Sequence, residues 1–179
     1  PCTAANTLGV MTATTKWEGV TSAEFNISIN YGSDAAGLAY SQTASTDGAG
    51  VVSLALSLAQ FGADWNTMVV NPYGTSQLAT LEQFNGVPNN TTPTGRYAGL
   101  IYKPFCAYFG SVLSDKDDLV AITNDSARIA QVTNVLCPAP NSLGFTWEAA
   151  ANVVALASVV FQNNPNLDVN NLSYPDMPI

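Results

Sequence analysis

Histidine is absent from all 179 residues. That removes the base of a Ser-His-Asp or Cys-His nucleophile system and the commonest transition-metal ligand. Charge is scarce as well. Charged residues make up 10% of the chain, against roughly a quarter in an ordinary soluble domain. The balance is acidic, 13 carboxylates against 5 Lys and Arg, for a net charge of −8. Such a chain repels phosphate backbones, and no basic stripe offsets the repulsion, so a nucleic-acid partner is disfavoured. The three cysteines, Cys2, Cys106 and Cys137, are odd in number and lack CxxC spacing. They form neither a disulfide framework nor a zinc site. Two readings stay open: reduced thiols that are buried or terminal, or one Cys106–Cys137 bridge between the ends of neighbouring strands. No apolar run is long enough to cross a bilayer. The opening "PCTAANTLGV" has no charged n-region before an apolar run and no initiating Met. It reads as the start of an excised or trimmed piece.

Hydrophobic residues make up 47% of the chain, enough to build a core and to set disorder aside. Asn, Thr, Ser, Ala and Gly take the place of charge. The resulting surface is polar but weakly charged, which suits a surface that other protein covers.

The first third alternates as strands do. "GVMTATTKW" alternates loosely, and "AEFNISINYG" places Phe25, Ile27, Ile29 and Tyr31 on one face. "GLAYSQTAS" is a third strand candidate, followed by the turn "TDGAG". The period then changes. "VVSLALSLAQFG" predicts a helix closed by Gly62, and "WNTMVVNP" a short buried strand. "TSQLATLEQFNG" predicts a helix capped by Thr75 or Ser76 and closed by Asn85-Gly86. "RYAGLIYKPF" reads as a strand. "SDKDDLVAITN" reads as a helix opened by a Ser114-x-x-Asp117 variant of the capping box. "ARIAQVTNVLC" reads as a strand stopped by Pro138 and Pro140, and "TWEAAANVVALASVVFQNN" as a last helix capped by Thr146 and ended by Pro165.

From residue 51 on, helix and strand alternate with short connections, the pattern of a parallel α/β sheet with helices on both faces. Strands near Met68–Val70, 100–102 and 129–132 are expected in that sheet. The organisation expected is one domain over 1–179: a β-rich edge region at 1–50, an α/β core at 51–164 and an exit linker at 165–179. Between 149 and 161 only Asn152 and Ser158 are polar. That helix is either covered all round or presents its outer face to a partner.

Chemistry has few carriers. The lysines Lys16, Lys103 and Lys116 have no serine in a recognisable Ser-Lys motif. Gly74, Thr75 and Ser76 stand at a helix start, where capping and anion binding are both open and capping is the plainer reading. Asp115, Asp117 and Asp118 are the densest acidic cluster. They fall in a first helical turn, where carboxylates favour the macrodipole. No glycine and no distal Glu completes a calcium loop around them. Asn-x-Ser/Thr stretches start at Asn26, Asn89, Asn90, Asn124 and Asn171, a by-product of an Asn- and Thr-rich composition. No catalytic residue, cofactor ligand or metal ligand is therefore expected.

Several segments share an order with a known family. "DWNTMVVNPYG" followed by "TSQLATLEQFNG" resembles the apolar strand, Pro-Tyr turn and helix of contractile phage tail sheath proteins of the Mu-like kind. "GRYAGLIYKPF" resembles the family's next strand. "DLVAITNDSARIAQVTNVLCPAPN" resembles its helix, turn and proline-ended strand. "TWEAAANVVALASVVFQNNPNLDVNNLSYPDMPI" resembles its Ala-rich helix and the exit from the domain, and "MTATTKWEGVTSAEFNISINY" its early hairpin. The resemblance implies a structural protein with a subtilisin-like α/β middle domain and no protease function. It implies self-assembly into stacked six-membered rings around a tail tube, assembled in the bacterial cytoplasm and resident in the virion tail. In that reading an N-terminal arm would precede Pro1, and a tube-facing domain, with contacts to tube and baseplate, would follow Ile179. The chain alone would be a monomer that binds neither nucleic acid nor membrane. The other readings are an adhesion or receptor-binding α/β module and, with its base missing, a subtilisin-like hydrolase.

Overall fold

A computed structural model describes residues 2–16, 19–20, 22, 46, 48–89, 91–98, 102–123, 133–142 and 144–167. The chain divides into two compact units, Pro1–Val52 and Ser53–Ile179. The division lies close to residue 51, where the sequence period changes from strand to helix.

In the first unit, β1 (Cys2–Thr7) pairs antiparallel with β2 (Val10–Thr15), with Thr7 opposite Val10 and Cys2 opposite Thr15. Leu8 and Gly9 make the two-residue turn, with φ of 52° and 81°. Two positive φ values in a two-residue hairpin loop match the right-handed twist of the flanking strands. Glycine suits that geometry, whereas leucine is strained in it. β2 falls where alternation placed a strand. β1 was missed, because "CTAANT" has no apolar alternation to reveal it. The predicted strands over 23–32 and 37–45 lie outside the described residues.

The second unit holds a three-stranded parallel sheet in the order β3 (Met68–Val70), β4 (Cys106–Ser111), β5 (Asn134–Pro138). Met68 stands opposite Cys106, and Ala107 opposite Asn134. The ladder runs past the strand ends. Asn71 N–H donates to Tyr108 C=O at 2.7 Å, and Ala139 N–H to Ser111 C=O at 2.8 Å. Among the described residues four α-helices accompany the sheet: α1 (Ala55–Ala59), α2 (Leu78–Asn85), α3 (Lys116–Thr123) and α4 (Thr146–Asn163). This is the α/β class that the alternating periods predict.

Helices lie on both faces. Val69 and Ala107, side by side in the sheet, join Leu54 and Leu58 beside α1, Leu81 of α2 and Phe105 in one apolar cluster. Side chains alternate along a strand, so Gly110 points the opposite way from Ala107, toward α4. A Cβ on Gly110 would lie 1.8 Å from the carbonyl oxygen of Thr146. Only glycine lets the first turn of α4 come that close. Ala149 packs with Ala139 and Val153 on α4's inner side, where small residues keep helix and sheet close.

Some expectations are corrected. Of the strand read over "RYAGLIYKPF", residues 99–101 lie outside the described residues, and the described residues on either side of them are not strand. Gly95–Tyr97 is a 3-10 turn, and Tyr102 is exposed with φ of 34°. β4 begins at Cys106, beyond Pro104, whose ring nitrogen has no hydrogen for a ladder. Residues 129–132 also lie outside the described residues, and β5 is described from Asn134 on. α1 occupies only the middle of "VVSLALSLAQFG", with Gly62 at φ of 46° in the turn after it. α2 is capped by neither Thr75 nor Ser76. A 3-10 turn over Gly74–Gln77 leads into it, and Ser76 Oγ donates instead to Tyr73 C=O at 2.7 Å. Asn71 shapes this entry. Its Oδ1 accepts from Tyr73 N–H at 3.0 Å and its Nδ2 donates to Gly74 C=O at 2.9 Å. α3 is capped by Asp115 rather than Ser114, with Asp115 Oδ1 accepting from the Asp117 and Asp118 amides at 2.8 and 3.3 Å. Phe145, not Thr146, precedes the first turn of α4, and the Glu148 carboxylate accepts from Phe145 N–H at 2.9 Å. α4 is not covered all round: Ala151, Ala155 and Val159 are exposed.

Candidate functional site

Three of the buried polar side chains among the described residues, Asn85, Arg96 and Thr133, lie near the end of α2, whereas Asn71 and Gln77 lie at its entry and Ser111 ends β4. Asn85, the last residue of α2, has no exposed surface. Its Nδ2 donates to Phe105 C=O and to Thr133 Oγ1, both at 2.9 Å, and its Oδ1 accepts from Phe105 N–H at 3.1 Å. Phe105 precedes β4 and Thr133 precedes β5. One carboxamide thus binds the approaches to both strands from the tip of a helix. Gly86, φ 79°, ends the helix in a conformation that favours glycine, and its N–H donates to Glu82 C=O at 2.9 Å.

Arg96 lies in the 3-10 turn that follows and is 3% exposed. Its Nε donates to Lys103 C=O at 2.7 Å, Nη1 to Gly62 C=O at 3.2 Å and Nη2 to Asp64 C=O at 2.6 Å. The guanidinium carbon stands 5.6 Å from the ring centre of Phe61 and 5.9 Å from that of Phe84. Those rings pack with Phe105, Phe61 meeting Phe84 and Phe105 edge-on at 5.8 and 5.7 Å. A buried cation between ring faces is favourable. Lys103 adds a second cation here, its Nζ donating to Ala63 C=O. The two cations therefore hold the backbone of 62–64, just after α1. Among the described residues the one ion pair lies elsewhere, between Lys116 and Asp117 at 3.7 Å on the exposed start of α3.

A shallow depression of about 400 Å³ opens beside this cluster, with Leu58, Ala59, Phe84 and Arg96 among its walls. On the other side of the Arg96 turn, Tyr97 and Tyr102 meet edge-on at 6.0 Å. Burial raises the Tyr97 hydroxyl above its ordinary pKa, and negative charge on Cys106 or Tyr102 would raise it further. Burial also pushes the Cys106 thiol up, and the Cys137 thiol up to about 11.

The other sequence candidates are dispersed. Gly74, Thr75 and Ser76 form the 3-10 entry to α2, bonded within their own turn. Asp115 caps α3, and Asp117 and Asp118 occupy its first turn. Among the described residues no three His, Cys, Asp or Glu side chains converge to hold a metal ion. Cys2, Cys106 and Cys137 are all free thiols. β4 and β5 are neighbours, but Cys137 stands opposite Gly110 while Cys106 begins β4. Four residues along a strand is about 13 Å, well beyond the roughly 7 Å that a disulfide can span between Cα atoms. Asn89 is exposed, its Oδ1 accepting from the Thr91 and Thr92 amides at 2.8 and 3.2 Å. Asn26, Asn90, Asn124 and Asn171 lie outside the described residues. Among the described residues no helix is long and apolar enough to cross a membrane.

Neither Asn85 nor Arg96 was found as a structural centre by reading the sequence. Asn85 looked like a helix terminator beside a glycine, and Arg96 like the polar start of a strand. One signal was present. In so lightly charged a chain, two cations seven residues apart, flanked by glycine and proline, are unusual enough to mark. Comparisons with known protein families, curated proteins and solved structures find no match to this chain.

Proposed function

We propose that this chain is a structural module of a contractile tail sheath, repeated in six-membered rings around a tail tube. The observation that carries the reading is the outer side of α4. Of its 18 residues only Glu148 is charged, and Ala151, Ala155 and Val159 are exposed along it. An uncharged, apolar-leaning helix face suits burial against neighbouring protein in an assembly. Two further features support the reading. The buried carboxamide of Asn85 and guanidinium of Arg96 are bonded mainly to backbone and serve the architecture. The segments that resemble the sheath family's strand, turn and helix fall on β3, its 3-10 turn and α2, in that order. In this proposal the protein performs no catalysis, assembles in the bacterial cytoplasm and ends in the virion tail.

The complete product of the encoding gene, purified and imaged by electron microscopy, tests the proposal. Stacked rings or tubes with six-fold class averages are the expected result. Dispersed particles that bind to host cells would overturn it and favour an adhesion or receptor-binding module.

A further inference from the structure

We propose that the depression beside Arg96 binds a small organic anion, a monocarboxylate carrying a short apolar group. The inference is independent of the sheath reading and rests on three observations within the second unit.

The first is an uncompensated charge. Buried ions are ordinarily paired with an opposite charge. Arg96 is 3% exposed, yet the groups that meet it are the carbonyls of Gly62, Asp64 and Lys103 and the faces of Phe61 and Phe84. Among the described residues no carboxylate lies within ion-pairing distance of it. Carbonyl dipoles and ring quadrupoles offset part of a full positive charge, and a carboxylate would offset the rest. Three of the five guanidinium N–H groups are used, and two have no partner among the described residues.

The second is space. The depression measures about 400 Å³ and Arg96 is one of its walls. That volume lies in the range of small-ligand sites. The third is its lining. Leu58, Ala59 and Phe84 present apolar surface, and Gln83 is exposed at its edge. An inorganic anion would leave those walls in contact with water. A carboxylate with an apolar tail satisfies both parts, since the carboxylate makes charge-assisted hydrogen bonds to the guanidinium and the tail covers the walls. Lys103, whose Nζ donates to Ala63 C=O, adds positive potential in a chain of net charge −8.

Titration of the 15N-labelled chain with sodium benzoate, followed by NMR, tests this. The expected result is saturable movement of the Arg96 Hε and the Gly62 and Gly95 amide signals, with a Kd of about 1 mM. Benzamide, which keeps the ring and loses the charge, should bind about tenfold more weakly or worse. Ala59→Trp fills the depression from an exposed position and should abolish the response without lowering Tm. Arg96→Met should also abolish it, although this variant loses the contacts that hold 62–64. Four results would each overturn the proposal: no saturable movement up to about 50 mM benzoate, an equal response to benzamide, an undiminished response in folded Ala59→Trp, or movement confined to signals remote from Arg96.

Discussion

The side chain of Asn85 bonds both the N–H and the C=O of Phe105, at 3.1 and 2.9 Å, as a neighbouring strand would. A helix tip thereby supplies the approach to β4 with the bonds of an extra sheet partner. Its second Nδ2 hydrogen reaches Thr133 at the approach to β5. Asn85→Leu would leave the N–H and C=O of Phe105 without their partner in a fully buried place and would take one bond from the Thr133 hydroxyl. The expected loss is about 3 kcal/mol of unfolding free energy. Urea denaturation of Asn85→Leu, Thr133→Val and the double variant measures it. The double variant should lose less than the sum of the two, because Asn85 and Thr133 share one bond.

Gly110→Ala should destabilise by about 3 kcal/mol or prevent folding. Its Cβ would meet the backbone of Thr146, which cannot rotate away as a side chain would. Thermal unfolding against Gly74→Ala separates the effects. Gly74 has φ of 56° but open space around it, so alanine there costs strain alone, about 1 kcal/mol.

Leu8→Asn should stabilise the β1–β2 hairpin by roughly 1 kcal/mol. Leu8 is 99% exposed and has φ of 52°, so leucine carries the strain of a left-handed conformation without burying anything in return. Asparagine tolerates that conformation and suits the turn. Slower amide exchange across β1 and β2 would show the gain. Unchanged exchange rates would mean that the turn does not limit the hairpin.

Stability should fall as pH rises through the range in which Cys137 ionises. Burial raises the folded-state pKa of this thiol to about 11, above the roughly 8.5 of an unfolded cysteine. A raised folded pKa means that the unfolded chain loses the proton first. The contribution is therefore complete below about pH 8.5 and is lost between there and about pH 11. Urea midpoints measured from pH 7 to 11 should decline, and the decline should be smaller in Cys137→Ala once its lower starting stability is subtracted.

The features legible in the sequence were those with a regular apolar period. "MVV" after a polar turn marked β3, Leu78, Leu81 and Phe84 marked α2, and the long Ala-rich run marked α4. "CAYFGS", which forms β4, drew less notice than "GLIY" because it is less apolar. What selects "CAYFGS" is tertiary: Gly110 must lie under α4, and Phe105 must meet Asn85. Two caps were misplaced because Ser114 and Thr146 have the right chemistry for a cap, whereas Asp115 and Glu148 have the right positions, and α2 begins after a 3-10 turn with no side-chain cap at all. The candidate site was hidden for a related reason. A buried arginine bonded to three carbonyls leaves no pattern at fixed spacing, since its partners are backbone groups that any residue supplies.

The bond from Asn85 to Thr133 also sets an order of events during synthesis. The two residues are 48 positions apart. At 5–20 residues per second, the ribosome adds the second about 2–10 s after the first. Through that interval the bonds from Asn85 to Phe105 can form, but its second Nδ2 hydrogen has only water to meet. The burial of the end of α2 is therefore complete only after Thr133 has been added. A nascent chain stopped short of residue 133 should remain open to protease at the end of α2, and one carried past β5 should close.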